Sequence, residues 1–415
     1  MPSGPRSRES PGESGTFKVS PGGWARHDRG AGLASGDYVS RVTGKDRWLA
    51  LDVFRGLTVA SMLLVNNPGS WRTILPPLQH APWHGWTPTD LIFPFFLFIV
   101  GITTELSLNR RAANGATDRS IRLQILRRSM LIVIAGLALA AFPFFPLTQF
   151  TEIRIPGVLQ RIGICYGFAA VVAWRRSSRA VGAVAALLLV GYWGALTLIP
   201  VPGQSGISLN IPGQTLAAYF DRLLLDGHLW SASKTWDPEG PLSTIPAVAT
   251  SLLGILTGRW MSRPNPLPDR LNALFAVGGL LTATGLMWNW VFPINKNLWT
   301  SSYVVFTAGL AMLALATASW VIDIKRIRSW TRPLVTYGLN PLAAFLGSGA
   351  MARSTILLHL EVGGESISVK EVIFTRGFAS WLSPTTASLA YAIAFVTLWY
   401  LILWGLERRG WILKI

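Results

Sequence analysis

The chain has 415 residues, half of them hydrophobic, and only 14% are charged, where a soluble domain carries about 25%. Its apolar runs recur at roughly the 20 residues needed to cross a bilayer as helix, which argues against a soluble enzyme and for an all-α, polytopic membrane helical bundle. The net charge of +17 argues for no nucleic-acid partner, because the cations sit in short clusters between apolar runs, as in loops on the cytoplasmic side of a membrane. The single Cys165 leaves no intramolecular disulfide and no cysteine metal cluster.

Residues 1 to about 45 are rich in Gly, Ser, Pro and Arg and read as a disordered cytoplasmic tail with no apolar signal-peptide core. A transmembrane domain then runs over 46–415. Ten spans are expected, near 48–68, 87–108, 123–145, 156–174, 180–200, 241–261, 270–292, 299–322, 332–356 and 385–406. One set of connections holds Arg41, Lys45 and Arg47, then Arg110, Arg111, Arg119, Arg122, Arg127 and Arg128, then Arg175, Arg176 and Arg179. The same set continues with Arg259, Arg263 and Arg270, then Lys325, Arg326, Arg328 and Arg332, and finally Arg408, Arg409 and Lys414. The alternate loops hold only Arg72, Arg154, Arg222, Lys234, Lys296, Lys370 and Arg376. This asymmetry puts both termini in the cytoplasm and the loop around His80 outside. The count treats 332–356 as one span, although Gly338, Pro341, Gly347 and Gly349 weaken a helix there, and 357–384 as an external excursion. The external loop 201–240 is too long for a simple connector and could roof a site; it holds Asp221, Asp226, His228, Lys234, Trp236, Asp237 and Glu239. The two halves share no repeat of the transporter kind.

Several polar groups interrupt the apolar pattern. Asp52 and Arg55 share a face of the first span and pair, either as a structural ion pair or as the holder of an anionic cofactor group. Asn66 and Asn67 close that span, where their amides could donate to an oxyanion or simply cap the helix. His80 and His84 precede the second span, with Asp90 inside its start. Pro82 breaks any helix that would align the two histidines on a metal, so no metal is expected. His80 beside Asp90 fits a general base oriented by a carboxylate; a hydrogen-bonded interfacial histidine has the same spacing. Arg154, Gln160 and Arg161 open the fourth span, and Arg154 can meet the Asp237 and Glu239 pair. That pair flanks a proline turn and could bind an amine or hydroxyl acceptor or cap the helix that follows. Lys296 and Asn297 lie in a tight external turn suited to an anion or a carbonyl. Asn340 sits in the stretch from Pro333 to Pro341 that breaks the ninth span; irregular backbone at depth is tolerated where it lines a cavity.

In order along the chain, Leu51-Asp52-Val53-Phe54-Arg55-Gly56, Val65-Asn66, His80-Ala81-Pro82-Trp83 through Asp90-Leu91-Ile92-Phe93-Pro94, Arg154-Ile155-Pro156-Gly157-Val158-Leu159-Gln160-Arg161, Asp237-Pro238-Glu239-Gly240 and Asn295-Lys296-Asn297-Leu298-Trp299 resemble the heparan-α-glucosaminide N-acetyltransferase family. The resemblance covers about residues 48 to 350 and implies ten spans, acetyl-CoA offered from the cytoplasm and an acceptor amine on the far side. It implies that His80 is catalytic, with Asn66 beside it and Asp90 in the same site. Two routes stay open: an acetyl group resting on the histidine, or direct passage in a ternary complex. A homodimer is implied by the family alone. The lysosomal member's luminal N-terminal domain has no counterpart here, so an acceptor other than heparan is expected. The expected function is transfer of an acetyl group to an amine or hydroxyl of a saccharide across the cell (inner) membrane, with Arg154, Gln160, Arg161, Asp237, Glu239, Lys296 and Asn297 on the acceptor side. Asp52, Arg55 and Asn340 fall to the acetyl-CoA side. A transporter or flippase for a polar or amphipathic solute would use the same buried charges as its pathway. A structural scaffold would tolerate changes at both His80 and Asp90.

Overall fold

A computed structural model of the chain describes residues 48–145, 151–204 and 206–413. The expected tail over 1–45, the boundary near Asp46, and Arg41, Lys45, Arg47 and Lys414 lie outside the described residues.

The apolar segments form helices α1 (Leu49–Asn66), α2 (Ile92–Ala113), α3 (Asp118–Ala141), α4 (Val158–Ala173) and α5 (Ser178–Leu198). After the short α6 (Leu216–Leu225) come α7 (Pro241–Met261), α8 (Leu267–Trp288) and α9 (Ser301–Ser319). The remaining helices are α10 (Arg332–Leu339), α11 (Pro341–Leu357), α12 (Val369–Phe374) and α13 (Pro384–Arg408). Among the described residues, eight helices are long and apolar enough to cross a membrane. The expected span at 156–174 corresponds to α4, which has 16 residues. The expected span at 332–356 is two helices broken at Asn340, where Pro341 cannot continue the first.

Helix starts follow local chemistry. Thr117, Ser177, Thr215 and Ser368 each accept a hydrogen bond from an amide in the first turn of the helix they precede. Proline stands in the first turn of α7, α8, α10, α11 and α13, where its missing N–H costs nothing. One element departs from an all-α chain. His359–Val362 and Glu365–Ser368 form a two-stranded antiparallel hairpin, β1 and β2, closed by Gly363 and Gly364 at φ of 64° and 87°. Positive φ at both turn residues is what a tight hairpin needs and what glycine tolerates.

The membrane-length stretches of α1, α2, α7 and α9 are more than half buried, whereas less than a third of those of α3, α5, α8 and α13 is buried. The first group is the inner part of the bundle and the second its periphery. Apolar burial does not drive helix association inside lipid, so the inner contacts rest on close backbone approach at small residues. A Cβ on Gly254 of α7 would overlap the Phe98 carbonyl of α2, and one on Gly101 would overlap the Ser251 carbonyl in return. The two backbones are therefore in contact along this seam. α1 meets α10 in the same way through Gly56 and Gly338. The packing gathers at one end of the bundle the loop before α2, the start of α4, the segment before α7 and the turn between α8 and α9.

Candidate active site

The loop before α2 ends in a 3-10 turn, Pro88–Leu91, with a reciprocal cap between Thr87 and Asp90. Asp90 is 1% exposed, and its two oxygens have separate partners. Oδ2 accepts from the Thr87 amide at 3.0 Å, the Ala81 amide at 3.0 Å and the Thr87 hydroxyl at 3.2 Å. Oδ1 lies 2.7 Å from Nδ1 of His80. A carboxylate that accepts this many donors is ionised, so Nδ1 carries its proton and points it at Asp90. Nε2 then bears the lone pair. The His80 side chain is 47% exposed, so that lone pair can be reached.

Lys296 comes to the histidine from 216 residues away. Its Nζ lies 3.2 and 3.3 Å from the two ring nitrogens and 3.9 Å from Oδ1 of Asp90. With Nδ1 already donating, the ammonium can donate only toward Nε2. Burial pushes Lys296 below the ordinary lysine range; Glu239 and Asp90 oppose this, and Arg161 and Arg154 add to it. Lys296 thus feels the field of a second charged group. In that group Arg154 forks onto Asp237 at 2.8 and 2.6 Å and also bonds Glu239. These carboxylates hold the Arg154 cation above its usual range against the cost of burial. Arg161 is 1% exposed, donates to the Gly240 carbonyl at 3.2 Å and to the Ser243 hydroxyl, and stacks over Trp299 at 5.1 Å. Its Nε and Nη1 have no hydrogen-bond partner among the described residues.

The turn that carries Lys296 is built by residues for which the sequence shows no local signal. Asn295, fully buried, accepts from the Leu298 amide at 2.9 Å and lies 3.3 Å from Nδ1 of His84. The Tyr303 hydroxyl donates to the Asp90 carbonyl. The Gly85 amide donates to the Ile294 carbonyl at 2.8 Å, so the histidine loop and the lysine turn are joined through backbone. Described residues of loop 201–240 close one side: Trp83 donates to the Leu209 carbonyl at 2.8 Å, His84 pairs with Asn210 at 3.0 Å, and Trp83, Trp236 and Trp230 meet edge to face in series. His84 is therefore a loop fastener. Asp221 of α6 accepts from the Asp237 amide at 2.9 Å and fixes the acidic segment before α7. Burial, with Asp237 adding to it, pushes Asp221 up to about 7; the Asp237 amide, Arg161 and Arg222 oppose the shift.

Among the described residues, no hydrogen bond joins the remaining sequence candidates to His80 or Asp90. Asn66 is exposed at the last position of α1, with no hydrogen bond to its amide among the described residues. Asn297 sits half-buried beside Lys296. Gln160 turns toward α3, where its Oε1 packs against Gly136 and Gly157. At the opposite end of α1, Asp52 and Arg55 are 3.6 Å apart and Arg55 donates to the Gly338 carbonyl at 3.2 Å. Asn340 pins residues 411–413: its amide donates to the Trp411 carbonyl at 3.2 Å and accepts from the Leu413 amide at 2.9 Å. Among the described residues, no three His, Cys, Asp or Glu side chains converge as a metal site.

The arrangement supplies an oriented imidazole, a half-buried ammonium close to both of its nitrogens, and a cluster of buried carboxylates before α7. Residues 47–216 match the family model described as heparan-α-glucosaminide N-acetyltransferase, catalytic. The human heparan-α-glucosaminide N-acetyltransferase is 31% identical over 356 residues, covering 72% of this chain and 52% of that protein. The mouse protein of the same name is 31% identical over 369 residues, covering 75% of this chain and 55% of its own length. The chain thus spans about half the length of the curated relatives it matches.

Proposed function

We propose that the chain, whose residues 47–216 match the model of the heparan-α-glucosaminide N-acetyltransferase catalytic region, is a multi-pass membrane acetyltransferase. It moves an acetyl group from cytoplasmic acetyl-CoA to an amine or hydroxyl, on an amino sugar or related saccharide, at the extracytoplasmic face of the cell's inner membrane. The observation that carries this reading is the 2.7 Å bond from His80 to Asp90, which orients the ring and leaves Nε2, with Lys296 3.3 Å away, as its free basic nitrogen.

That atom serves either route to the product. In direct transfer, the acceptor nitrogen attacks the thioester carbonyl while Nε2 takes its proton; the C–S bond breaks, and the thiolate leaves with a proton returned by His80. In relayed transfer, Nε2 attacks first and the C–S bond breaks, the thiolate taking a proton from solvent; the acceptor then attacks the acyl-imidazole, the bond to Nε2 breaks, and the acceptor's proton is lost to solvent through the freed imidazole. Both routes pass through an oxyanion. Lys296 is placed to stabilise it, and Asn66 is the second candidate donor. Arg154, Asp237, Glu239, Arg161 and Asn297 form the acceptor side, where carboxylates suit an amine or sugar hydroxyls. Gln160 supports that wall from behind. Asp52, Arg55 and Asn340, at the other end of the bundle, are assigned to the donor side. The clustering of cations in alternate connections supports a cytoplasmic side for both termini and for the donor.

The test uses the full chain in proteoliposomes with radiolabelled acetyl-CoA and a panel of amino sugars. Thiol release coupled to acetylated sugar is expected from the wild type, and none above background from His80→Ala. Undiminished transfer by His80→Ala would overturn the assignment; solute flux without thiol release would make the protein a transporter.

A further inference from the structure

The turn between α8 and α9 ends on a residue whose backbone angle does not suit its side chain. Trp299 has φ of 52°, in the left-handed region that bulky residues seldom enter. Its amide donates to the Lys296 carbonyl at 3.1 Å. Around it the turn is closed twice: the Thr300 amide donates to the Asn295 carbonyl at 3.1 Å, and the Asn295 amide to the Thr300 hydroxyl at 3.0 Å. The path of Lys296 is therefore tied to the angle at Trp299. The ring shows what keeps that angle. The indole is 1% exposed and meets four helices. Its Nε1 donates to the Thr250 hydroxyl of α7 at 3.1 Å, and the Arg161 guanidinium of α4 lies over the ring at 5.1 Å. Phe93 of α2 and Tyr303 of α9 meet it edge to face at 5.0 and 5.4 Å. Phe93 follows Asp90 by three residues, and the Tyr303 hydroxyl bonds the Asp90 carbonyl. The socket of the indole is thus built from the same elements that place Asp90 and, through it, His80. A strained angle persists where the surroundings over-determine it, and such angles gather at functional sites.

We propose that Trp299 is the positioning residue for Lys296: the seated indole holds the turn in its left-handed form and so holds the ammonium against His80. The catalytic meaning of that placement rests on the acetyltransferase reading; the placement itself is a property of the turn. Two observations give the indole this role beyond filling space. Its N–H has a directional partner in Thr250, which is fully buried, so the ring is fixed in rotation as well as in depth. And the contacts of Lys296 do not fix its own position. Its Nζ is 3.9 Å from Asp90, beyond hydrogen-bond length, and its hydrogen-bonding neighbour among the described residues is the His80 ring it serves. The ammonium is therefore located by the backbone that carries it. Glycine would adopt the left-handed angle without strain, but it has no ring to seat.

The experiment loosens the indole without touching Lys296. Thr250→Val removes the acceptor of the indole N–H, Thr250→Ser keeps it, and Trp299→Phe keeps an aromatic ring without the N–H. Should Thr250→Val fail to fold, judged by Tm, Trp299→Phe carries the test. The full chain in proteoliposomes is assayed for transfer from radiolabelled acetyl-CoA to a panel of amino sugars, in the wild-type and Lys296→Met backgrounds. Separately, without acetyl-CoA, the rate at which N-acetoxysuccinimide labels Lys296 is followed by peptide mass spectrometry. In Thr250→Val and Trp299→Phe, kcat is expected to fall about tenfold with KM within about twofold, and Thr250→Ser to stay within about twofold of wild type. In the Lys296→Met background the same changes are expected to cost less than about twofold, because the group they position is gone. Lys296 labelling is expected to quicken about threefold or more in Thr250→Val and Trp299→Phe, as a lysine released from its fixed place reacts faster. An equal fall in kcat in both backgrounds makes Trp299 a packing residue and overturns the proposal. Unchanged kcat and unchanged labelling overturn it as well and leave the acetyltransferase reading standing. A wild type without transfer, whose Lys296 labelling still responds to Thr250→Val and is restored in Thr250→Ser, overturns that reading and leaves the placement of Lys296 by Trp299 standing.

Discussion

Asp90 holds the His80 ring with one carboxylate oxygen, 2.7 Å from Nδ1, and the loop that carries the ring with the other. Orientation of the imidazole and closure of the loop therefore share one side chain. An Asn in its place accepts on one oxygen only and presents an N–H where a carboxylate oxygen stood. Asp90→Asn is expected to lower kcat by roughly 10²-fold or more, the scale of a general base lost to misorientation. Steady-state kinetics with saturating donor measures it; a kcat within twofold of wild type would show that Asp90 does not orient His80.

Lys296 sets a pH limit. Burial holds its ammonium below the ordinary value of 10.5, so the charge beside His80 is lost at lower pH than for an exposed lysine. Transfer is expected to decline on an alkaline limb below pH 10.5, and Lys296→Met to be slower at neutral pH with that limb absent. The stability sign is also fixed. Between the lowered folded value and 10.5 the unfolded chain binds more protons, so this lysine's contribution to stability rises with pH there. A pH-rate profile of both proteins tests the first claim, and a variant with the same alkaline limb would refute it.

Arg154 engages Asp237 through two nitrogens, and Asp237 is fully buried. Lysine cannot reproduce this fork. Arg154→Lys is expected to cost about 1–3 kcal/mol, the scale of a charged hydrogen bond lost to a buried partner. In a double-mutant cycle with Asp237→Asn the two losses should not add. Thermal unfolding in a fixed detergent reads both; strict additivity would mean that the pair is not coupled.

Asp221 gives a stability effect of opposite sign to Lys296. Its carboxyl is pushed from the ordinary 3.8 up to about 7, chiefly by burial. Between those values the folded chain binds more protons than the unfolded one, so stability falls as pH rises through the window and the loss is complete above about 7. Asp221→Asn removes the dependence. Its Tm relative to wild type is expected to be higher at pH 8 than at pH 5, and an equal difference at both values would refute the shift.

The helices were legible because each is an apolar run of membrane length, and α4, α10 and α11 show where that signal thins. α4 is short, and the break at Asn340 was visible in Pro341 without showing what the asparagine binds. The hairpin at 359–368 had its signal too: Gly363-Gly364 between short alternating runs, inside a stretch taken only as an excursion. The site was legible in part. His80, Asp90 and Thr87 are close in sequence, so their relationship follows from a local turn. Lys296 and Asn295 reach the same histidine loop from a turn more than 200 residues further on, and no periodicity connects them. Asp221 lies beside Asp237 only because α6 packs against the start of α7.

The clip between Asn340 and residues 411–413 bears on the order in which the chain can be completed. The asparagine is buried, and among the described residues its amide finds its partners only at Trp411 and Leu413, about 70 residues further on. Until those residues are synthesised, the joint between α10 and α11 keeps an unsatisfied amide at a cost of about 1–3 kcal/mol. α10 also packs on α1 through Gly56 and Gly338, so the seat of α1 is secured by residues more than 350 positions further along the chain. Translation stalled before residue 411 should leave this joint open to protease, while release of the longer chain closes it.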